Sequence, residues 1–428
     1  MVIINQQDYN ILTKRMDREK YIFTPIFRDL YYHRIENSIL CANIMFLNGD
    51  SYTISISHKD APQFPLYITE HCISNNSKLF DINTIDIFTI LYINNQPLPV
   101  LEMNSCITEY HIRMESMVDV NKVVPLMMWN KTLVEYNKKL LNLYIKYESS
   151  VNSLPYSIIQ DIIYTLRDIE NSGVACNKDR LVERFGEKTA RYFKGDLLYS
   201  EYNPYTLTNR PSNRFGGINF SALNKRDGSR EAFISRYTDG MLVQFDFEAY
   251  HLRLVADEHG ITLPTGSLHM ELAKKYFNTE EITDDLYAAS KQKTFEIMYG
   301  MTNETYGVEL FESIVHIRRF YKDVTGPFVL PSGVTVNFTE PNISKMFNYH
   351  VQSLEIVKTL PKLQKVLELL KNTNNHLVLY TYDSILLDMQ TFDANLVQEI
   401  TEVLEENKKF PVRIHAGKTY DVIKEIRL

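Results

Sequence analysis

The sequence has 428 residues, of which 44% are hydrophobic, 23% charged and 12% aromatic, with 15 glycines and 15 prolines. These proportions exclude collagen-like, low-complexity and disordered chains, and the length predicts two or three domains with a large buried core. The formal net charge of -7, from 46 basic and 53 acidic residues, gives no overall basic field of the kind that announces nucleic-acid binding.

The sequence also argues against membrane insertion, export and a cysteine framework. No apolar run approaches the roughly 20 residues of a membrane-spanning helix, the best being 38–47 and 85–93. The N-terminus lacks the order of a signal peptide, so we expect a cytoplasmic protein, in the host cytoplasm if it is viral. Four widely spaced cysteines form no CxxC pair, which predicts buried reduced thiols rather than a zinc site or disulfides. They are Cys41, Cys72, Cys106 and Cys176.

The first third of the chain mixes strand and helix patterns. Residues 39–57 alternate apolar and polar side chains around Asn48-Gly49-Asp50, which predicts a hairpin with a short turn. Residues 79–98 are rich in β-formers, and residues 133–147 have helical spacing. We therefore predict an α/β module over about residues 1–150.

The remainder alternates helices with two short apolar strand segments. A helix is predicted over 155–172, with Pro155 at its start and Gly173 just after its end. A polar, turn-rich stretch follows over 202–228. The later predictions are a strand over 240–250, helices over 267–277, 284–299 and 344–371, the last broken or kinked at Pro361, and a hairpin over 376–389.

Asp246 and Asp383 each follow a predicted buried strand. Strand ends hold carboxylates rigidly, and two such groups side by side repel each other unless divalent cations neutralise them. For either residue alone, the commoner explanation is a turn aspartate that caps a helix or a hairpin. Sequence spacing does not decide whether the two residues meet.

Lys291, Phe295 and Tyr299 share one face of a predicted helix, because they are spaced four residues apart. An ammonium group followed by two aromatic rings suits a nucleotide, whose phosphates bind the cation and whose sugar and base contact the rings. The alternative is a partly buried helix face with a lysine that extends to solvent.

The order of these and further segments along the chain resembles that in the family A (DNA polymerase I-like) DNA polymerases. VQFDFEAYHLRLVADEHG resembles motif A, KQKTFEIMYGMT motif B and HLVLYTYDSILLD motif C. SLHMELAKKYF, FNYHVQSLEIVK, LTNRPSN and PVRIHAGKTYDVIKEI are similar to segments that lie before, between and after these motifs in the family. The resemblance extends from about residue 170 to the C-terminus and is compatible with a compact phage or mobile-element type.

The resemblance implies an α/β (α+β) architecture with a right-hand palm and fingers. A degenerate RNase H-like exonuclease-type domain would occupy residues 1–150, a connecting helix and vestigial thumb 151–210, and palm and fingers 211–428, with the fingers at about 262–330. The implied enzyme is a DNA-directed DNA polymerase, a nucleotidyltransferase that adds dNTPs to the 3′-hydroxyl of a primer paired with template DNA.

The resemblance also implies roles for individual residues. Two Mg²⁺ ions, or Mn²⁺ in their place, would be held by Asp246, Asp383 and the carbonyl of Phe247. Lys291 would stabilise the triphosphate. The other nucleotide-binding positions are Phe295, which predicts discrimination against dideoxynucleotides, together with Tyr299, His251 and His269. The DNA-binding positions are Arg210, Gly300, Asn348, Gln352 and Tyr382.

Several positions depart from the family pattern. His251 stands where the family has a glutamate that blocks a ribose 2′-hydroxyl, so exclusion of ribonucleotides is open. Tyr287 stands at the motif B arginine, and Lys293 or Lys274 is expected to supply the missing charge. Tyr382 and Ser384 replace a histidine and a second acid.

Two reductions are also expected. The short interval from Gly173 to Arg210 predicts a vestigial thumb and low processivity unless a processivity or replisome protein assists. Near the N-terminus, TPIF at 24–27 replaces the metal-binding DTE of the exonuclease, and Tyr136 lacks the aspartate expected four residues later. We therefore expect no proofreading.

Two other functions stay open at this point. The altered motifs are compatible with a degenerate polymerase fold retained as a nucleic-acid-binding or replisome scaffold. His251 and Ser384 are compatible with an RNA polymerase or primase-like enzyme, although Phe295 follows the DNA enzymes.

Overall fold

The computed structural model describes residues 1–29, 31–99, 124–300, 302–320, 326–338 and 342–426. The chain divides into two compact units. Unit 1 comprises Met1–Arg167 and Phe185–Gly195, and unit 2 comprises Asp168–Arg184 and Asp196–Leu428. Within the described ranges, no helix combines the length and the apolar character needed to cross a membrane.

Unit 1 is built on a five-stranded sheet of order β3-β2-β1-β4-β5. Strand β1 pairs antiparallel with β2 and parallel with β4, and β5 continues the parallel pairing. The elements are α1 (Gln6–Met16), β1 (Tyr21–Phe27), β2 (Ile39–Phe46), β3 (Ser51–Ser55), β4 (Cys72–Ser74), β5 (Ile85–Asp86), α2 (Ile87–Ile93), α3 (Leu126–Tyr147) and α4 (Leu154–Ser172). The last turn of α4 belongs to unit 2.

Both faces of this sheet are covered, which explains why β1 and β2 are almost entirely buried. Tyr21 and Phe23 point toward α1, while Ile22 between them packs toward α2 and α3. This is the period of two that a β-strand imposes on its side chains.

The hairpin predicted over 39–57 is confirmed by β2 and β3, with Gly49 at a positive φ of 91° in the turn. The helix predicted over 133–147 is confirmed and begins earlier, at Leu126. The β-rich interpretation of 79–98 is wrong for most of the segment, because α2 occupies its centre. The Asp86 carboxylate accepts a hydrogen bond from the Thr89 amide and so caps this helix, and the buried residues Ile87, Ile90 and Leu91 recur at helical spacing.

Unit 2 is built on an antiparallel sheet of order β14-β15-β11-β16-β17, with helices packed against it. Its strands are β6 (Val174–Ala175), β7 (Leu197–Leu198), β8 (Tyr202–Asn203), β9 (Ser212–Phe215), β10 (Ile218–Asn219), β11 (Met241–Phe247), β12 (Gly326–Val329), β13 (Thr335–Phe338), β14 (His376–Tyr380), β15 (Ser384–Met389), β16 (Val412–Gly417) and β17 (Lys424–Ile426). Its helices are α5 (Lys178–Phe185), α6 (Tyr250–Glu258), α7 (Leu268–Phe277), α8 (Asp284–Met298), α9 (Glu309–Phe320), α10 (Ile343–Leu370) and α11 (Ala394–Glu405).

Most predictions for this unit are confirmed. The strand over 240–250 is β11, the hairpin over 376–389 is β14 and β15, and the helices over 267–277 and 284–299 lie within a residue or two of their predicted bounds. The helix predicted over 155–172 is α4 of unit 1 and is equally close to its predicted bounds. Of the predicted break or kink at Pro361, the break is wrong, because α10 continues through the proline, whereas the kink stays a prediction. Burial of Leu360, Leu363 and Val366 on either side offsets the backbone hydrogen bond that proline removes.

The cysteine prediction is confirmed for three residues, since Cys41, Cys72 and Cys176 are buried thiols that form no disulfide. Cys106 lies outside the described residues.

Asp388 anchors the turn that leads into β11. Its buried carboxylate accepts hydrogen bonds from the Ser235 hydroxyl at 2.6 Å and from the amide and Nε of Arg236 at 3.0 and 2.9 Å. Removing one partner of a buried ion pair leaves an uncompensated charge, so we expect Asp388→Ala to lower the free energy of unfolding by about 3–5 kcal/mol. Asp239→Ala, an exposed acid in the same turn, is the matched control and should change it by less than about 0.5 kcal/mol. Equal effects of the two variants in chemical denaturation would contradict this account.

Candidate functional site

Asp246 and Asp383 line one open cleft of about 410 Å³ in unit 2. Asp246 lies near the end of β11, and Asp383 lies in the tight turn between β14 and β15. The two strands bring them together, because Asp246 is paired with Ser384 and the Phe247 amide donates to the Asp383 carbonyl at 2.8 Å. Hydrogen bonds between Thr381 and Ser384 close the turn, so the Asp383 carboxylate is not needed as its cap.

The two carboxylates form an electrostatically unfavourable pair. Desolvation by the cleft walls, followed by repulsion from Asp246 and Glu355, raises the pKa of Asp383 to about 6. Water reaches the Asp383 side chain, so solvent screening limits the cost of this pair. Lys225 Nζ approaches Asp246 Oδ2 to 3.9 Å. Over the described ranges there is no cluster of three or more His, Cys, Asp or Glu side chains that could bind a metal ion.

Lys291 and Phe295 of helix α8 and Tyr299, which caps its C-terminal end, line the same cleft, as the spacing predicted. Phe295 is 48% exposed and stacks on Tyr299, with ring centroids 6.1 Å apart and an interplanar angle of 9°. An exposed ring of this size in a cleft is unlike a partly buried structural face. Burial raises the pKa of Tyr299 to about 12, so its hydroxyl stays protonated.

Gly300 follows the last turn of α8 at a positive φ of 88°. A Cβ at this position would lie 2.8 Å from Ser344 Oγ and 3.0 Å from an Arg318 guanidinium nitrogen. Both the backbone conformation and the lack of space therefore favour glycine after Tyr299.

His251 is held between two polar side chains. Its Nδ1 lies 2.9 Å from the Tyr299 hydroxyl, and its Nε2 lies 2.5 Å from a carboxylate oxygen of Glu355. Glu355 is fully buried and also accepts from Arg210, whose Nε lies 3.1 and 3.0 Å from its two oxygens. The Arg210 guanidinium in turn lies 3.6 Å from the centroid of the Tyr382 ring. We call these five residues the gate network; it connects the end of α8, α6, α10 and the turn between β14 and β15.

Sequence reasoning missed Glu355, although a signal was present. Glu355 is an acid between the apolar residues Leu354 and Ile356 of α10, and an acid has to find a partner when it is buried. Nothing in the sequence identified that partner as His251.

Asn348 and Gln352 lie one helical turn apart on α10 and are joined by a hydrogen bond of 3.1 Å. The Thr208 hydroxyl donates to Gln352 Oε1 at 3.1 Å, which ties the LTNRPSN segment to the helix. These two residues do not line the cleft of the carboxylates, whereas Arg210 does.

The expected replacement for the motif B arginine is wrong. Lys293 lies over aromatic rings, with Nζ 4.4 Å from the centroid of Tyr306, and Lys274 pairs with Glu271 and Glu280 at the surface. Neither lysine lines the cleft.

The additional cation in the cleft is Arg413 of β16, which sequence reasoning did not single out. It donates from Nη2 to the Tyr287 hydroxyl at 3.3 Å, and Lys291 Nζ lies 4.7 Å from the centroid of the Tyr287 ring. Burial would raise the pKa of Tyr287, but the hydrogen bond from Arg413 and the charge of Lys291 outweigh it and lower the pKa.

His269 also lines the cleft, edge-on to the Tyr287 ring at a centroid distance of 6.2 Å. It is 7% exposed, and burial lowers its pKa to about 4. Its Nδ1 is buried and has no hydrogen-bond partner within the part of the chain that the structure describes.

No family model and no curated protein matches the sequence. Among solved structures, the chain is similar to the POL domain of Pol1 from M. smegmatis, which was solved in complex with DNA primer-template and dNTP. The TM-score is 0.66 at 12% sequence identity, and the match covers 99% of this chain and 100% of that chain. The chain therefore has the mixed α/β fold of a DNA polymerase POL domain.

The raised pKa of Asp383 predicts a pH-dependent stability effect. An acid whose pKa is higher in the folded state than in the unfolded state loses stability as pH rises between the two values, here from about 4 to about 6. In the presence of a chelator we expect Asp383→Asn to be more stable than the parent protein by about 1 kcal/mol at pH 8, after allowance for solvent screening. The difference should disappear near pH 4, and urea titrations at the two pH values measure it. A difference of equal size at both values would contradict the assignment.

Proposed function

We propose that the protein is a template-directed DNA polymerase that adds dNTPs to a primer 3′-hydroxyl by two-metal phosphoryl transfer. The observation that carries the proposal is one cleft with two opposed sets of residues. Asp246 and Asp383 line it from β11 and from the turn between β14 and β15, and Lys291, Phe295 and Tyr299 line it from α8 and its C-terminal end. The likeness to a POL domain solved with primer-template and dNTP supports the same function.

The residues present fit two divalent cations, Mg²⁺ or alternatively Mn²⁺. Desolvation and then repulsion from Asp246 raise the pKa of Asp383, and divalent cations would neutralise such a pair of neighbouring carboxylates. Asp246, Asp383 and the Phe247 carbonyl would hold the ions. Such ions would supply activation of the primer hydroxyl and neutralisation of phosphate charge.

The other cleft residues would bind and orient the substrates. Lys291 supplies a positive charge for the triphosphate, and the exposed ring of Phe295 contacts the sugar and base. Tyr299 and Gly300 would lie against the templating base pair. Arg210 and Tyr382 would contact the primer strand, and Asn348 and Gln352 the template strand.

Sugar selection is assigned to the gate network. Both nitrogens of His251 are engaged, by Tyr299 and by Glu355, so the imidazole has little freedom to move away from the nucleotide. A fixed ring at this position would exclude the 2′-hydroxyl of a ribonucleotide by steric overlap. This supports a DNA polymerase rather than an RNA-polymerase-like enzyme.

Unit 1 is proposed to be a degenerate exonuclease-type domain without proofreading activity. The strand order β3-β2-β1-β4-β5, with β1 antiparallel to β2 and parallel to β4, supports the proposal of an RNase H-like sheet. Thr24, which begins the segment that stands where the exonuclease would have its DTE acids, bonds instead to buried neutral groups. Thr24 donates to Asn137 Oδ1 at 2.6 Å, and Asn137 donates to Asn43 Oδ1 at 2.7 Å. We call these three residues the neutral network; it offers no carboxylate to a metal ion.

Low processivity is part of the proposal. Residues 173–210 contain only α5, a short 3₁₀ helix at Glu187–Tyr192 and two-residue strands. Such short elements make a small thumb, so a processivity or replisome protein would be needed to retain DNA over long synthesis.

Replacing His251 by alanine should relax sugar selection. We expect the ratio of ribonucleotide to deoxyribonucleotide incorporation to rise by about 10-fold or more, because a steric barrier in a pocket is worth 1–3 kcal/mol. Glu355→Gln, which removes the charge that holds the imidazole, should produce a smaller rise in the same direction. Single-nucleotide incorporation kinetics measure the ratio. An unchanged ratio in His251→Ala would contradict the role of His251 in sugar selection.

Primer extension with Mg²⁺ tests the function itself. The parent protein should extend a labelled primer with dNTPs, and Asp383→Asn should lose activity by about 100-fold or more, because it removes the charge that the reaction requires. Asp239→Asn, at an exposed position, is the control and should retain activity.

The remaining outcomes point to the other functions. DNA binding without extension would favour the nucleic-acid-binding scaffold, for which the closeness of Lys225 to Asp246 is the specific observation. Comparable extension with rNTPs would favour the RNA-polymerase-like enzyme.

A further inference from the structure

Arg413 occupies a fixed position beside the carboxylates. On the antiparallel pair formed by β11 and β16, Arg413 is directly opposite Asp246. Directly opposed residues project from the same face of a sheet. Asp246 therefore has Ser384 beside it on one neighbouring strand and Arg413 beside it on the other.

Arg413 and Lys291 approach each other across Tyr287. Arg413 donates to the hydroxyl at one end of this side chain, and Lys291 lies over the ring. No ion pair involves either cation within the ranges that the structure describes. Glu248, an acid that also lines the cleft, is occupied by Arg253 at 2.9 Å and by the Leu268 amide at 3.0 Å.

His269 provides an independent indication of a ligand at the same place. A buried ring nitrogen without a partner costs free energy unless a bound group satisfies it. The ring stands against Tyr287, beside the two cations, and lines the same cleft. Two cations and an unsatisfied nitrogen around one phenol suit an anion with several charges and many acceptor oxygens.

We propose that Arg413 and Lys291 together bind the triphosphate of the incoming nucleotide and the pyrophosphate released from it, with Tyr287 as the positioning residue for Arg413. This assignment rests on the proposed polymerase function. It accounts for the tyrosine at the motif B arginine position, because the second positive charge comes from β16 instead of from α8.

The role of the two cations depends on where negative charge accumulates during the reaction. The primer 3′-oxygen forms a bond to the α-phosphorus, the bond from that phosphorus to the bridging oxygen breaks, and pyrophosphate leaves with the electron pair while the hydroxyl proton passes to solvent. Charge therefore accumulates on the β- and γ-phosphates. Cations held at that end stabilise the leaving group more than the bound substrate.

The test separates phosphate binding from catalysis. The full chain is bound to a primer-template whose primer ends in a dideoxynucleotide, and the dissociation constants of the next dNTP and of inorganic tripolyphosphate are measured with Mg²⁺ for the parent protein and its variants. Extension assays on an unblocked primer give KM for dNTP and the inhibition constant of pyrophosphate.

For Arg413→Gln we expect both dissociation constants, KM and the pyrophosphate inhibition constant to rise together by about 10- to 100-fold, as loss of a charge-assisted contact predicts. Arg413→Lys should recover part of the loss, and Tyr287→Phe should raise the same constants by about 2- to 10-fold. The affinity for primer-template should not change. Arg180→Gln, which removes an exposed arginine of α5, is the matched control and should behave as the parent protein.

Each outcome decides the inference. The inference would be overturned, even if the protein is a polymerase, by dissociation constants for tripolyphosphate and for dNTP that do not differ between the parent protein and its variants Arg413→Gln and Tyr287→Phe. Binding that depends on Arg413 in a protein that extends no primer would support the phosphate site and reject the polymerase. A parent protein that binds neither probe would overturn both. If Arg413→Gln does not fold, Arg413→Lys and Tyr287→Phe give the same comparison.

Discussion

The register of β11 between two antiparallel neighbours is the constraint on which the site depends. One pairing sets Asp246 beside Ser384 and so brings the Asp383 turn to the same edge of the sheet. The other sets Arg413 beside Asp246. A slip of one residue in either pairing would turn these side chains to the opposite face. The three charged groups therefore meet because the backbone ladder fixes them, and the apolar residues of these strands fix the ladder by being buried.

The gate network shows how one buried charge organises residues that are distant in sequence. Glu355 has no exposed surface, and a buried carboxylate is tolerated only when its oxygens are satisfied. Arg210 and His251 supply that satisfaction from two other elements, and His251 passes the connection to Tyr299 on α8. These contacts, with the Arg210 guanidinium over the Tyr382 ring, link the end of α8, the helix that carries Glu355 and the turn between β14 and β15.

The sequence predicted the local elements well because local rules control them. Asp246 and Asp383 were recognisable as acids after apolar strands, and Lys291, Phe295 and Tyr299 as one helix face. The failures have physical reasons. The helix α2 was hidden because β-branched residues dominate it, although Asp86 at its start is a cap signal. Pro361 was expected to break α10, but the burial of the apolar residues around it offsets the lost backbone hydrogen bond. Arg413 could not be found because its role depends on which strand pairs with β11, and pairing between distant strands leaves no mark on spacing along the chain.

The neutral network in unit 1 has a consequence for how easily the domain could change. Thr24, Asn43 and Asn137 satisfy one another without any formal charge, so no ion is required to hold them. An acid introduced at one of these positions would be a buried charge with no counterion, at a cost of several kcal/mol. Metal binding there would need two or more acids to appear at once, since each alone is destabilising. The arrangement is therefore a local optimum in sequence space, separated by a barrier from any metal-dependent form of the same sheet.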